Sequence, residues 1–155
     1  MQSSRGPRDS IAQDVIDGLA KIGVGDIGHI QRVGFMNPEI RPVWRDIRLI
    51  GRATTARMMN MDLTVPAVIE AATPGDVIVV DRGGEHRVAC WGGFSAILEK
   101  TNGVAGLIVD GAVTDSMEIT DLRWPVYSRT VSGLVGNDVN VEVPSLGGKA
   151  YVLGR

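Results

Sequence analysis

Apolar residues recur at helical spacing near the start of the chain, at Ile11, Val15, Ile16, Leu19 and Ile22. Ser10 and Gln13 are spaced as a capping box, and Gly23 stands where such a helix would stop. The stretch that follows, through Pro38 and Pro42, has no period and reads as an irregular connection. Residues 47–56 read as a strand broken at Gly51. A short helix runs from Pro66, near its first turn, to Ala72 and is ended by Pro74-Gly75.

Beyond Gly75 the pattern alternates strand and helix. Val77-Ile78-Val79-Val80 is an unbroken apolar run, as expected of a strand covered on both faces. Gly83-Gly84 makes a turn, and Arg87 to Cys90 is a candidate short strand. Phe94, Ile97 and Leu98 mark one apolar helix face, and Asn102-Gly103 ends that helix. Residues 104–109 form a second buried strand that delivers residues 110–118 at its carboxyl end, the edge where α/β sheets usually bind ligands. Pro125 to Ser128 and Val139 to Val143 add short strands. The pattern predicts an α/β fold in a single domain over residues 9–155, behind a flexible polar tail at residues 1–8.

Composition narrows the function classes. At 155 residues, 44% hydrophobic and 22% charged, the chain is long enough for one well-filled core. A net charge of −2 with scattered Lys and Arg leaves no footprint for nucleic acid or an anionic membrane. Cys90 is the only cysteine, so neither an internal disulfide nor a cysteine-based zinc site is available. No apolar run approaches membrane-spanning length and the N-terminus lacks a signal-type core, so a cytoplasmic location is expected.

The chemistry concentrates in two places. Gly92-Gly93 precedes the helix that begins around Phe94, where bare backbone amides can hold a carboxylate or phosphate. A tight strand-to-helix turn explains the same glycines. Asp115 and Glu118 lie three residues apart after the second buried strand, and Mg2+ favours one or two carboxylates with several retained waters. The plainer reading is that Asp115 caps a helical turn and Glu118 is solvated. His29 and His86 have no ligand spacing around them, Cys90 beside Trp91 reads as packing, and Met58, Met59 and Met61 read as core or interface filler.

Together these blocks resemble the family that contains regulator of ribonuclease activity A and the class II pyruvate aldolases acting on 4-hydroxy-4-methyl-2-oxoglutarate and 4-carboxy-4-hydroxy-2-oxoadipate. The family pattern is an anchor residue, twenty residues, Arg-Asp, two residues and an acid; here Gly93 is the anchor, Asp115 the aspartate and Glu118 the closing acid. Gly51-Arg52-Ala53-Thr54-Thr55, Pro74 to Asp81, Ala89 to Gly93, Gly103 to Gly111 and Pro125-Val126-Tyr127 also look like family blocks.

The resemblance implies a swivelling β/β/α-type domain assembled as a ring-like homotrimer, or a dimer of trimers, with the active site between subunits. It implies Mg2+ or Mn2+ held by Asp115 and Glu118, and a small 2-oxo acid bound by backbone amides at Gly92, Gly93 and Phe94. The implied activity is a metal-dependent lyase of the pyruvate aldolase or oxaloacetate decarboxylase type; the alternatives are a non-catalytic protein-binding regulator and a degenerate member that keeps only the fold. Two departures bear on this choice. Thr114 replaces the family arginine at a catalytic position, and a hydroxyl cannot form a charged bidentate clamp, so Arg52, Arg123 or Arg129 is a candidate substitute. The Gly147-Gly148 segment is also not followed by the Pro-Gly-Asp block that family members usually carry.

Overall fold

The parallel strands and the helices between them follow the alternation read above, and the computed structural model describes residues 11–58, 64–135 and 151–154. In chain order the elements are α1 (Gln13–Leu19), α2 (Val24–Ile30), β1 (Arg41–Pro42), β2 (Leu49–Arg57), α3 (Thr64–Ala71), β3 (Asp76–Asp81), α4 (Gly93–Thr101), β4 (Gly106–Val113), α5 (Ser116–Asp121), β5 (Val126–Val131) and β6 (Tyr151–Gly154). They build a six-stranded sheet in the order β1-β5-β4-β3-β2-β6. The four central strands are parallel, and the outer strands β1 and β6 run antiparallel to β5 and β2.

Both faces of the parallel core are covered, which is why β3 could be an unbroken apolar run. On one face Ile78, Val80, Leu107 and Val109 pack with Val68 of α3, Ala96 of α4 and Ile119 of α5. On the other, Val77, Ile108 and Tyr127 pack with Ile47 and Leu49, under Met36, Ile40 and Trp44. Two buried rings place their polar atoms on backbone carbonyls: Trp124 Nε1 donates to the Val104 carbonyl at 2.9 Å, and the Tyr127 hydroxyl to the Ile47 carbonyl at 3.1 Å. At the amino ends of the strands, Asp76 accepts from Arg52 (Nε 2.9 Å, Nη2 2.7 Å), the Thr54 hydroxyl and the Thr73 amide. Burial opposes its charge, and the Arg52 guanidinium with these donors outweighs burial and holds the carboxyl below the ordinary range.

Several expectations need correction. The first helix begins at Gln13 with Ala12 as its cap and no side-chain capping bond; Ser10 lies outside the described residues. Gly23 does not simply stop that helix but caps α2, its amide donating to Asp26 Oδ2 at 3.0 Å, so the connection before Pro38 is partly helical. The strand is not broken at Gly51: β2 runs straight through it. The glycine is there because a Cβ would meet the Gly75 carbonyl oxygen at 2.5 Å, a close approach between adjacent chain segments. Arg87 to Cys90 contributes only single bridges through Ala89, not a strand. The Phe94, Ile97 and Leu98 face of α4 points outward, while Gly93, Ala96 and Glu99 are the buried positions. Val139 to Val143, Met59, Met61 and the tail at residues 1–8 lie outside the described residues. Met58 and Cys90 are buried in the core, as expected, and His29 and His86 are exposed. No helix among the described residues is long and apolar enough to cross a membrane.

Candidate functional site

The carboxyl end of β4 brings the predicted residues together. β4 ends at Val113, Thr114 follows, and Asp115 adopts the left-handed conformation (φ 53°, ψ 44°) before α5 begins at Ser116. Asp tolerates that region better than most residues. Alongside, residues 89–92 take up the place that β3 vacates. Ala89 bridges Ala112, the Cys90 amide donates to the Ala112 carbonyl at 3.1 Å, and the Thr114 amide donates to the Trp91 carbonyl at 2.8 Å. These bonds carry Gly92 and Gly93 directly over Asp115.

The contact between the two motifs is a charge-assisted hydrogen bond. The Gly93 amide donates to Asp115 Oδ2 at 2.8 Å, and the Thr114 hydroxyl donates to Oδ1 at 3.1 Å. Asp115 sits at the N-cap position of α5 yet makes no side-chain capping bond there. The plain capping role is therefore not the one its side chain plays: it turns back to the amino end of α4, whose dipole favours a negative charge. Space is tight at both glycines. A Cβ on Gly92 would lie 2.6 Å from Asp115 Oδ2, and one on Gly93 would lie 3.2 Å from the Glu118 Cβ. The expected anion cradle thus already holds an anion, the protein's own Asp115, at the Gly93 amide. The Phe94 amide, in the first turn of α4, has no carbonyl four residues back within the helix.

Glu118 is exposed in the first turn of α5, beside Gly93. Two exposed carboxylates on one turn match the hard-oxygen donor set that Mg2+ or Mn2+ takes with retained water, although no group of three or more His, Cys, Asp or Glu gathers among the described residues. Phe94 (80% exposed) and Met117 (77%) flank the turn on α4 and α5.

None of the three arginines considered as substitutes for the missing clamp is directed to Asp115 within this chain. Arg52 is held by Asp76 at the opposite end of the strands, Arg123 lies over the Trp44 ring at 5.4 Å, and Arg129 donates to Asp110 and Glu39. Sequence reasoning missed two features near the site. Glu99, on the inner face of α4, is fully buried with neither carboxyl oxygen partnered among the described residues; burial pushes its pKa up to about 7. The signal was its spacing of three from Ala96 and six from Gly93, the small residues of the packed face. The second is the Asp110–Arg129 ion pair, which no spacing within one element could disclose.

The family model described as RraA-like, Aldolase/RraA, matches residues 12–148. A protein of Halalkalibacterium halodurans named "Putative 4-hydroxy-4-methyl-2-oxoglutarate aldolase" is 35% identical over 114 residues, covering 70% of this chain and 54% of its own length. One of the same name from Paraburkholderia phytofirmans is 33% identical over 101 residues, covering 61% of this chain and 62% of its own. The chain therefore spans little more than half the length of the curated relatives it matches. Among solved structures, RraAS2 of Streptomyces coelicolor, described as an unusual member of the RNase ES inhibitor RraA protein family, superposes with a TM-score of 0.72 at 19% identity, covering 87% of this chain and 72% of that one. The RNA-processing inhibitor RraA from Thermus thermophilis gives 0.64 at 23%, covering 88% and 77%. At such identities the likeness is one of fold.

Proposed function

Because this chain belongs to the RraA-like (Aldolase/RraA) family, we propose that it is a divalent-metal-dependent lyase acting on small 2-oxo acids, of the pyruvate aldolase or oxaloacetate decarboxylase type. The observation that carries the reading is the Asp115 carboxylate, turned away from its own helix and fixed by the Gly93 amide at 2.8 Å. A residue that served only as a cap would not be oriented so. Asp115 and Glu118 would hold Mg2+ or Mn2+ with retained waters. The metal, when bound, supplies Lewis-acid stabilisation of the negative charge that develops as the carbon–carbon bond breaks.

The chain's own groups do the positioning. The Gly93 amide and the Thr114 hydroxyl fix the two oxygens of Asp115, which preorganises the carboxylate. The first-turn amide of Phe94 offers a donor to the carboxylate of a 2-oxo acid, at the positive end of the α4 dipole. Thr114 cannot supply a charged clamp, and loss of one such preorganised group costs on the order of 10²–10³ in rate. The exposed apolar residues Phe94, Ile97 and Met117 support assembly as a closed homotrimer, or a dimer of trimers, that covers this surface. A second reading, a protein-binding regulator without catalysis, is favoured by Thr114.

Oxaloacetate decarboxylation with Mn2+ tests the lyase reading. We expect slow turnover in the parent, loss of turnover and of Mn2+ binding in Asp115→Ala, and a rise of about 10²-fold in Thr114→Arg. A folded parent and a folded Thr114→Arg variant that both lack metal-dependent turnover would overturn the lyase reading in favour of the regulator.

A further inference from the structure

β4 carries one residue more than β5 beside it. The two strands run in step through Leu107↔Val126, Ile108↔Tyr127 and Val109↔Ser128, then resume at Ala112↔Thr130 and Val113↔Val131. Asp110 and Gly111 therefore stand against the single residue Arg129. Bulges are rare between parallel strands, and one extra residue reverses which face every later side chain meets. Beyond this bulge β4 delivers its share of the candidate site: Ala112 and Thr114, which bond to Cys90 and Trp91, and then Asp115.

The bulge is filled from both sides. Arg129 Nε donates to Asp110 Oδ1, and its Nη1 donates to Glu39 Oε2, with the Arg129 side chain only 15% exposed. Gly111 is crossed by Arg82 at the end of β3: a Cβ there would lie 2.5 Å from the Arg82 Cγ and 3.0 Å from the Glu85 carbonyl oxygen. Asp110 also stands in register with Asp81 of β3, which is itself paired with Arg57 of β2 at 2.8 Å. A charged row, Arg57–Asp81–Asp110–Arg129, thus crosses four strands at the level of the bulge. Without Arg129, Asp110 would face Asp81 uncompensated, and like charges directly opposite in a sheet repel.

We propose that Arg129 and Asp110 are positioning residues, whose ion pair holds the β4 bulge and thereby sets where Asp115 stands against the Gly93 amide. The catalytic meaning of that position rests on the reading of Asp115 as a metal ligand; the position itself does not. The pair acts through the strand, and neither residue touches the substrate.

Two readouts separate these claims. The first is hydrogen exchange at the Gly93 amide, whose acceptor is Asp115. Arg129→Gln and Asp110→Asn should speed it at least about 10-fold, while Arg129→Lys, which keeps the charge beside Asp110, recovers most of the protection. Arg57→Gln removes the ion pair at the other end of the same row and controls for a general loss of stability; it should leave Gly93 exchange unchanged at matched stability. The second readout is Mn2+ affinity, expected to fall 10- to 100-fold in Arg129→Gln, as for other groups that orient a metal ligand. Unchanged Gly93 exchange in both Arg129→Gln and Asp110→Asn, or an equal change in Arg57→Gln, would overturn the inference. A parent that binds no Mn2+ would overturn the metal reading, while the exchange measurement still decides the role of the pair.

Discussion

Glu99 offers a sharp test of how α4 is seated. Its carboxyl is fully buried and unpartnered among the described residues, and burial raises its pKa from about 4.5 to about 7. Below pH 4.5 the group is protonated in both folded and unfolded chains and has no pH-dependent effect. Between pH 4.5 and 7 the unfolded chain releases the proton and the folded chain keeps it, so stability falls as pH rises. The loss is complete above pH 7. With 1.36 kcal/mol per unit, the shift corresponds to about 3 kcal/mol. Glu99→Gln keeps the shape and removes the ionisation, so its stability relative to the parent should climb by about that amount from pH 4.5 to 7.5, then level off. For a domain of this size that is roughly 6–12 °C in melting temperature. Carboxylates held low by partners, such as Asp76, act in both proteins and cancel. Urea titrations of both proteins at several pH values, at one fixed concentration, measure the difference directly. A difference that stays flat with pH, or shrinks as pH rises, would refute the argument that Glu99 is buried as a free acid.

Two further outcomes follow from contacts around the same turn. Gly92→Ala would place a methyl 2.6 Å from Asp115 Oδ2; we expect a folded protein that loses the Gly93–Asp115 bond, about 1.5–3 kcal/mol of stability and at least 10-fold in Mn2+ affinity, checked by denaturation and Mn2+ titration. Cys90 is buried, and desolvation pushes its thiol up to about 11 from an ordinary 9.0; a thiol-specific disulfide reagent at pH 8 should label it roughly 100-fold more slowly in the native protein than in urea.

The strands were legible because their apolar runs reflect burial on both faces, which β3 and β4 satisfy almost residue for residue. The site was legible in its parts, since Gly92, Gly93, Asp115 and Glu118 do meet at the carboxyl end of β4. What sequence could not disclose was the relation among them. Nothing local says that the Gly93 amide takes Asp115 itself, because that bond joins residues twenty-two positions apart. Helix α4 misled for a related reason. Large apolar residues normally mark the buried face, but here the inward positions of α4 are Gly93, Ala96 and Glu99, with α5 close against Gly93, so Phe94 and Ile97 lie outside. Helix α2 was missed because Gly25 and Gly28 weaken its propensity, and only the Asp26 bond to the Gly23 amide marks its start.

The outer strand β1 bears on how the protein behaves in a crowded solution. It pairs with β5 through Arg41↔Ser128 and Pro42↔Tyr127, and the next residue, Val43, sends its amide inward to the Val126 carbonyl at 2.9 Å. Alternation along a strand then makes position 42 the one whose amide would face outward, and proline has none. A further strand that tried to add to this side would find no donor there, against a ledge only two residues long. Where β1 covers the first half of β5, the parallel core, whose apolar strands would be a hazard if they could recruit neighbours, is thereby closed by one imino acid.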